Sequence, residues 1–213
     1  MNQPLTWALV VATYQREKIL PQCIKLAVEQ SRQPAEIIIV DASKNWETTC
    51  NKVLSEIAAI APHIRWVYVS ANQPGLPLQR NQGIDLATAD ILFMIDDDSF
   101  MHPDCAAEIM QLYEADLEQR VAGIQASLVD TMPTEMVVED ATKSVGWKQN
   151  QWTVRISGLQ HFVWKHIFLM NNEVTCIPYY GDFPHYEVPE SLAGMNAHFT
   201  RIFHGCRMTF RRE

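Results

Sequence analysis

The chain has 213 residues, 47% of them hydrophobic and 20% charged, which is enough to bury a full core, with no low-complexity stretch or internal repeat. Its net charge of −8 argues against DNA or RNA as the main partner, although local arginines or a metal can still hold a small anion. Cys23, Cys50, Cys105, Cys176 and Cys206 are odd in number and widely spaced without a zinc-ligand pattern, so free thiols in a reducing compartment are expected. No apolar run is long enough to span a bilayer, and the amino terminus lacks the basic lead-in of a signal peptide. The chain is therefore expected in the cytoplasm, or peripherally at a membrane as part of a longer protein.

Strands and helices alternate over the first 130 residues. Leu5–Ala12 reads as a first strand, followed by a helix over Glu17–Gln30. Glu36–Val40 is a second buried strand ending on Asp41. A helix over Asn45–Ile60 follows, with Val53, Leu54, Ile57 and Ile60 spaced to face a core. Ile64–Val69 is a third strand and Gly75–Ala89 a third helix. Ile91 opens the fourth strand, Pro103 suits the first turn of a helix reaching Glu118, and Val121–Leu128 reads as a fifth strand. This rhythm predicts an α/β fold with a mostly parallel, Rossmann-like sheet and helices on both faces.

After Asp130 the rhythm breaks. Residues 131–213 are expected to extend the same domain, with at least one antiparallel strand within Thr131–Glu190. Short apolar stretches such as Trp152–Ile156 and Phe162–Met170 lie there. So do Trp147, Trp152, Trp164, Tyr179, Tyr180 and Tyr186, which suit either a core or a sugar-stacking face. His161 and His166 are five apart, off a shared helix face, and read as structural or surface residues.

The fourth strand, ILFMIDDDS over Ile91–Ser99, carries the chemistry. Five apolar residues without alternation imply burial on both faces. Three aspartates at its end repel one another and resist ionising together. If the strand continues through them, Asp96 and Asp98 share a face roughly 6.5–7 Å apart at Cα. That pair suits one divalent cation, Mn²⁺ or Mg²⁺, held directly or with the phosphates it carries. The competing reading is an acidic turn leading into the next helix.

A dinucleotide site would need glycines in the first strand–helix turn, but that turn reads ATYQRE. No P-loop or nucleophile elbow is present. Instead, three strand ends carry polar groups: Thr13, Tyr14, Gln15 and Arg16 after the first, Asp41 and Ser43 after the second, and the aspartates after the fourth. In an open parallel sheet these ends form one crevice. Tyr14 offers a flat face to a base, Asp41 an acceptor for a base N–H, and Arg80 a partner for a phosphate or a carboxylate.

On these residues the chain resembles the family 2 glycosyltransferases, inverting enzymes of the GT-A fold. The matching pieces are VVATYQRE at Val10–Glu17, IIIVDAS at Ile37–Ser43, GLPLQRNQGIDLATADILFMIDDDS at Gly75–Ser99, and GCRMTFRRE at Gly205–Glu213. The third piece, with its R-N-x-G and a strand-terminal DxD in order, is the most specific. The resemblance implies base binding at Thr13, Tyr14 and Asp41, with Arg16 and Arg80 beside the nucleotide. It implies metal coordination by Asp96 and Asp98, with Asp97 near the ribose. The implied activity is transfer of a sugar, with inversion, from a nucleotide-diphosphate donor to a saccharide, lipid or other hydroxyl acceptor, with a UDP-sugar expected as the donor.

Two positions depart from the family pattern. The second strand ends Asp41-Ala42-Ser43 where two acidic residues often precede the serine, and Arg207 stands where N-M-x-F-R-R-E carries asparagine. The family's base follows that stretch in an E-D motif. It is expected beyond Glu213, in a part missing from a truncated carboxyl end, so no catalytic residue is assigned. Asp182, Glu187 and Glu190 lie outside the expected context, and GMNAHFTR at Gly194–Arg201, a second match to the stretch, supplies no E-D pair. Two rival readings share parts of the pattern. One is a sugar-nucleotide-binding module without turnover. The other is a haloacid-dehalogenase-type phosphotransferase with Asp96 as nucleophile and Asp98 as acid.

Overall fold

Four apolar runs become the parallel strands β1 (Trp7–Thr13), β2 (Glu36–Asp41), β3 (Arg65–Ser70) and β4 (Ile91–Asp96) of the computed structural model. Residues 4–127, 129, 132–133, 188–198 and 207–212 are described. They belong to one unit built from Met1–Pro133, Val188–His198 and Phe203–Glu213. The aromatic and histidine positions between 147 and 186, Asp182, Glu187 and the strand expected within Thr131–Glu190 fall outside the described residues or are not seen among them.

Helices α1 (Leu20–Val28), α2 (Trp46–Glu56), α3 (Leu76–Leu86) and α4 (Cys105–Ala115) connect the strands. A short β5 (Gly123–Gln125) and β6 (Arg207–Arg211) complete a six-stranded sheet in the order β3-β2-β1-β4-β6-β5. The pairs β1–β2, β2–β3 and β1–β4 are parallel, whereas β6 runs antiparallel to both β4 and β5. The mostly parallel α/β sheet expected from the strand–helix rhythm is what forms.

The absence of alternation in β1, β2 and β4 has a direct cause. Trp7, Leu9, Val11, Ile37, Ile39, Ile91, Phe93 and Ile95 face a core completed by α1, α2 and α4. Ala8, Val10, Ile38, Val40, Leu92 and Met94 face the opposite layer, where Ile84 and Leu86 of α3 pack with Met208 and Phe210 of β6. Both faces are covered, so every position must be apolar.

Three expectations need correction. Leu54 and Ile60 do not face the core: they are 38% and 67% exposed, while Thr49, Val53 and Ile57 are buried. The helix stops at Glu56 and tightens into a 3₁₀ turn at Ala58–Ile60, which breaks the 3.6-residue phase that Ile60 needed. The fifth strand spans only Gly123–Gln125, and its ladder is antiparallel because β6 inserts between it and β4. Finally, α4 begins at Cys105, with Pro103 in the preceding turn, where the Cys105 N–H donates to the His102 carbonyl at 3.0 Å.

Beside the amino-terminal end of β1, next to Leu5, Arg32 clasps Glu114 with two bonds, Nη1 to Oε2 at 3.0 Å and Nη2 to Oε1 at 2.6 Å. The Arg32 hydrogen bonds hold the Glu114 carboxyl below its ordinary value; burial opposes them, and the Arg32 charge and the Leu5 N–H add to the lowering. A depressed carboxylate contributes stability above its unfolded pKa, and that contribution is lost as pH falls through the folded value. Glu114→Gln is therefore expected to destabilise the protein at neutral pH. The gap to wild type should start closing below the ordinary value of 4.5 and vanish in stronger acid. Urea melts at a series of pH values check this, and a gap independent of pH would refute it.

Candidate donor-binding site

The chain visits β2 and β3 on one side of β1, then places β4 on the other. Strand order therefore reverses at β1–β4, and in open α/β sheets the ligand crevice lies outside the carboxyl ends at such a point. Here Thr13 ends β1, Asp41 is its register partner at the end of β2, and Ala12 pairs with Asp96 at the end of β4.

The ladder stops at Asp96. Asp97 and Asp98 lie in a turn whose Ser99 N–H donates to the Asp96 carbonyl at 3.0 Å. Strand alternation therefore does not set the direction of Asp98, and the shared face expected for Asp96 and Asp98 has no basis in a continuing strand. The three carboxylates instead meet different partners. Asp96 Oδ1 accepts from Arg80 Nη2 of α3 at 2.7 Å. Asp97 Oδ2 accepts from the Thr13 hydroxyl at 2.6 Å, a bond across the switch point. Arg16 stands between the other two, Nε 3.9 Å from Asp97 and Nη2 3.7 Å from Asp98.

Burial pushes the Asp97 carboxyl up and the charges of Asp98 and Asp96 add to this, while the Thr13 hydrogen bond and Arg16 oppose it. Beneath the turn, Cys23 of α1 is buried with Sγ 3.8 Å from the Asp96 carbonyl. Burial, then the three aspartates, raises its thiol far above the ordinary range, so it stays protonated and inert.

The second strand end forms its own network. Asp41 is 2% exposed; its Oδ1 accepts from the Ser43 N–H and its Oδ2 from the Tyr68 hydroxyl, both at 2.7 Å. The Ser43 hydroxyl accepts from the N–H of Gln15, whose φ is +55°, at 2.7 Å, and so ties the two loops together. Trp46 stacks on Tyr68, centroids 6.2 Å apart. Beside this, Tyr14 is 56% exposed, with its ring open to a ligand.

Thr13, Asp97, Arg16 and Asp98 are thus linked by direct contacts, Arg80 pairs with the adjacent Asp96, and Asp41 joins them through the β1–β2 register. Sequence reasoning passed over Tyr68 and Gln79. Buried Gln79 donates from Nε2 to the carbonyls of Thr13 and Val40, each at 2.9 Å, clamping the ends of β1 and β2 to α3. Its only signal is its place beside Arg80 at the start of a helix. Near the carboxyl end Arg211 donates to the carbonyls of Tyr113 and Val121 and meets Asp116, which makes it a structural tie.

Among the described residues, no three His, Cys, Asp or Glu side chains converge as a ready cation cage. The side chains of Asp98 and Asp96 are 49% and 37% exposed, so both keep accessible carboxylate oxygens, the donor type a hard cation takes together with phosphate and water. No helix among the described residues is long and apolar enough to cross a membrane.

No curated protein matches the sequence. Among solved structures, the mannosyltransferase PcManGT from Pyrobaculum calidifontis in complex with GDP-Man and Mn²⁺ is similar at TM-score 0.50 and 16% identity, over 60% of this chain and 36% of that one. S. aureus TarS 1-349 in complex with UDP gives TM-score 0.47 and 15% identity, over 62% of this chain and 38% of that one. The chain spans under two-fifths of the length of either, and the first likeness shows the shared GT-A fold. The profile of glycosyl transferase family 2 matches residues 8–173, most of the chain, and leaves the phosphotransferase reading without support. The chain belongs to glycosyl transferase family 2.

Proposed function

We propose that this chain binds a nucleotide-diphosphate sugar, a UDP-sugar first among candidates, and serves transfer of the sugar to a hydroxyl acceptor with inversion. The supporting observation is the convergence of Thr13, Arg16, Arg80 and the three aspartates at the strand-order reversal of the sheet. Tyr14 stacks on the base, and Asp41, held by Tyr68 and Ser43, orients the loop that reads it. Asp97, fixed by Thr13, faces the ribose. Asp96 and Asp98 hold Mn²⁺ or Mg²⁺, which when bound offsets charge on the departing diphosphate. Arg80 aims Asp96 through its 2.7 Å hydrogen bond, and Arg16 stands 3.7 Å from Asp98. The acceptor is a saccharide, lipid or other hydroxyl compound rather than a nucleic acid. Free thiols at Cys23, Cys50 and Cys105 fit a cytoplasmic setting.

Calorimetry with UDP and with GDP, each in Mn²⁺ and in EDTA, tests the reading. UDP is expected to bind in Mn²⁺ and to be lost in EDTA, because the aspartates otherwise repel the diphosphate. Equal affinity in both would remove the metal role, and a clear preference for GDP would change the base. Asp41→Ala should weaken UDP by freeing the loop it holds, while Mn²⁺-pyrophosphate affinity stays at wild type. A parallel fall in both would show that Asp41 does not act on the base. The variant should also melt lower, since it strands the Tyr68 hydroxyl and the Ser43 N–H.

A further inference from the structure

Among the described residues, one buried side-chain nitrogen or oxygen lacks a hydrogen-bond partner, and it is Nε of Arg207. Arg207 opens β6 opposite Ile95, one residue short of the strand-terminal Asp96. Residues opposite one another in an antiparallel pair project to one face, and Ile95 faces the α1–α4 core. Thr209 and Arg211 follow on that same face at the strand period. Both are engaged: Thr209 bonds the Tyr113 hydroxyl at 2.8 Å and the Ile124 carbonyl at 3.0 Å, and Arg211 bonds the carbonyls of Val121, Tyr113 and Asp116. Arg207 holds the equivalent place nearest the acidic turn, partly buried, with its Nε unpartnered.

An unpaired buried N–H on a cation is costly. Arg207 stands at the carboxyl end of β4, the end of the sheet where the aspartates gather. We propose that Arg207 is a phosphate-binding residue of the donor site, its guanidinium taking an oxygen of the donor's diphosphate. This rests on the reading of the crevice as a nucleotide-diphosphate-sugar site. Arg16 and Arg80 already pair with aspartates, so with the cation and a diphosphate in place the site still carries excess negative charge. That excess grows as the sugar leaves and the diphosphate gains a charge. A third arginine supplies the missing cation, with a fork suited to phosphoryl oxygens. It stands where the family stretch this chain resembles has asparagine.

The test compares wild type, R207N and R207K by calorimetry in Mn²⁺ with UDP, inorganic pyrophosphate and UMP, alongside melting of the ligand-free proteins. R207N should lose about tenfold or more in affinity for UDP and for pyrophosphate, the loss expected of a charge-assisted hydrogen bond, and much less for UMP. R207K should lie between. The ligand-free R207N should melt at or above the wild-type temperature, because an unsatisfied group has been removed. Wild-type affinity of R207N for UDP and pyrophosphate overturns the proposal, and a lowered melting temperature with that affinity makes the residue structural. If R207N fails to fold, R207K decides: unchanged pyrophosphate affinity overturns the proposal. Wild type that binds neither UDP nor GDP in Mn²⁺ would instead sink the underlying reading, and this inference with it.

Discussion

Asp98→Ala is expected to abolish Mn²⁺-dependent UDP binding while leaving the ligand-free fold at wild-type stability. Of the three strand-end aspartates it has the least structural duty. Its side chain is 49% exposed, it lies beyond the last ladder residue, and its ion partner is the equally open Arg16 at 3.7 Å. An ion pair this exposed contributes at most about 1 kcal/mol. Removing one of three adjacent negative charges returns a comparable amount, so the net change in stability should stay within about 0.5 kcal/mol. Asp97 is the opposite case. It is buried and bonded to Thr13, so its removal damages β1 as well as the site. As a proposed cation ligand, Asp98 should cost more than the roughly 10–100-fold lost with an outer partner of a metal site. The variant in Mn²⁺ should bind UDP as wild type does in EDTA. Normal UDP affinity would show that Asp98 is no ligand, and a lower melting temperature would give it a structural role.

The fold was largely legible because burial on both faces leaves a plain trace. Leu92 and Phe93 face opposite layers, and both must be apolar. Polar strand ends could be read for the same reason, since Asp41 and Asp96 end unbroken apolar runs, Ile37–Val40 and Ile91–Ile95. What could not be read depends on where the ladder stops. Whether β4 continues through Asp98 is decided by its neighbours, whose registers end at Ala12 and Arg207. The strand's own composition is silent on that. The clamp made by Gln79 was hidden for a similar reason. A glutamine on a helix is ordinary until the carbonyls of two other strands are known to lie within reach. Ile60 failed through geometry rather than composition, because a 3₁₀ turn rotates it out of the stripe that an uninterrupted helix would have kept.

The R-N-x-G segment carries a final expectation, that Gly83→Ala lowers stability although alanine is the better helix former. A Cβ built at Gly83 would stand 2.4 Å from Cγ1 of Val10 and 3.7 Å from Cγ2 of Val40. Real carbon atoms do not approach to the first distance, so something must move. Val10 is 1% exposed in the central strand and β-branched, with little rotamer freedom to yield. The strain of overpacking, about 1–3 kcal/mol, therefore opposes a helix-propensity gain of about 1 kcal/mol, and strain should win. Relief by lifting α3 would carry Arg80 away from Asp96 and Gln79 from the ends of β1 and β2, so Mn²⁺-dependent UDP affinity should fall with stability. The decisive comparison is a cycle with Val10→Ala, which opens space under the helix. In that background Gly83→Ala should cost nothing or stabilise, giving a coupling of about 0.5–3 kcal/mol in urea unfolding. If Gly83→Ala stabilises the otherwise wild-type protein, the close approach of α3 to β1 is not what requires glycine at this position.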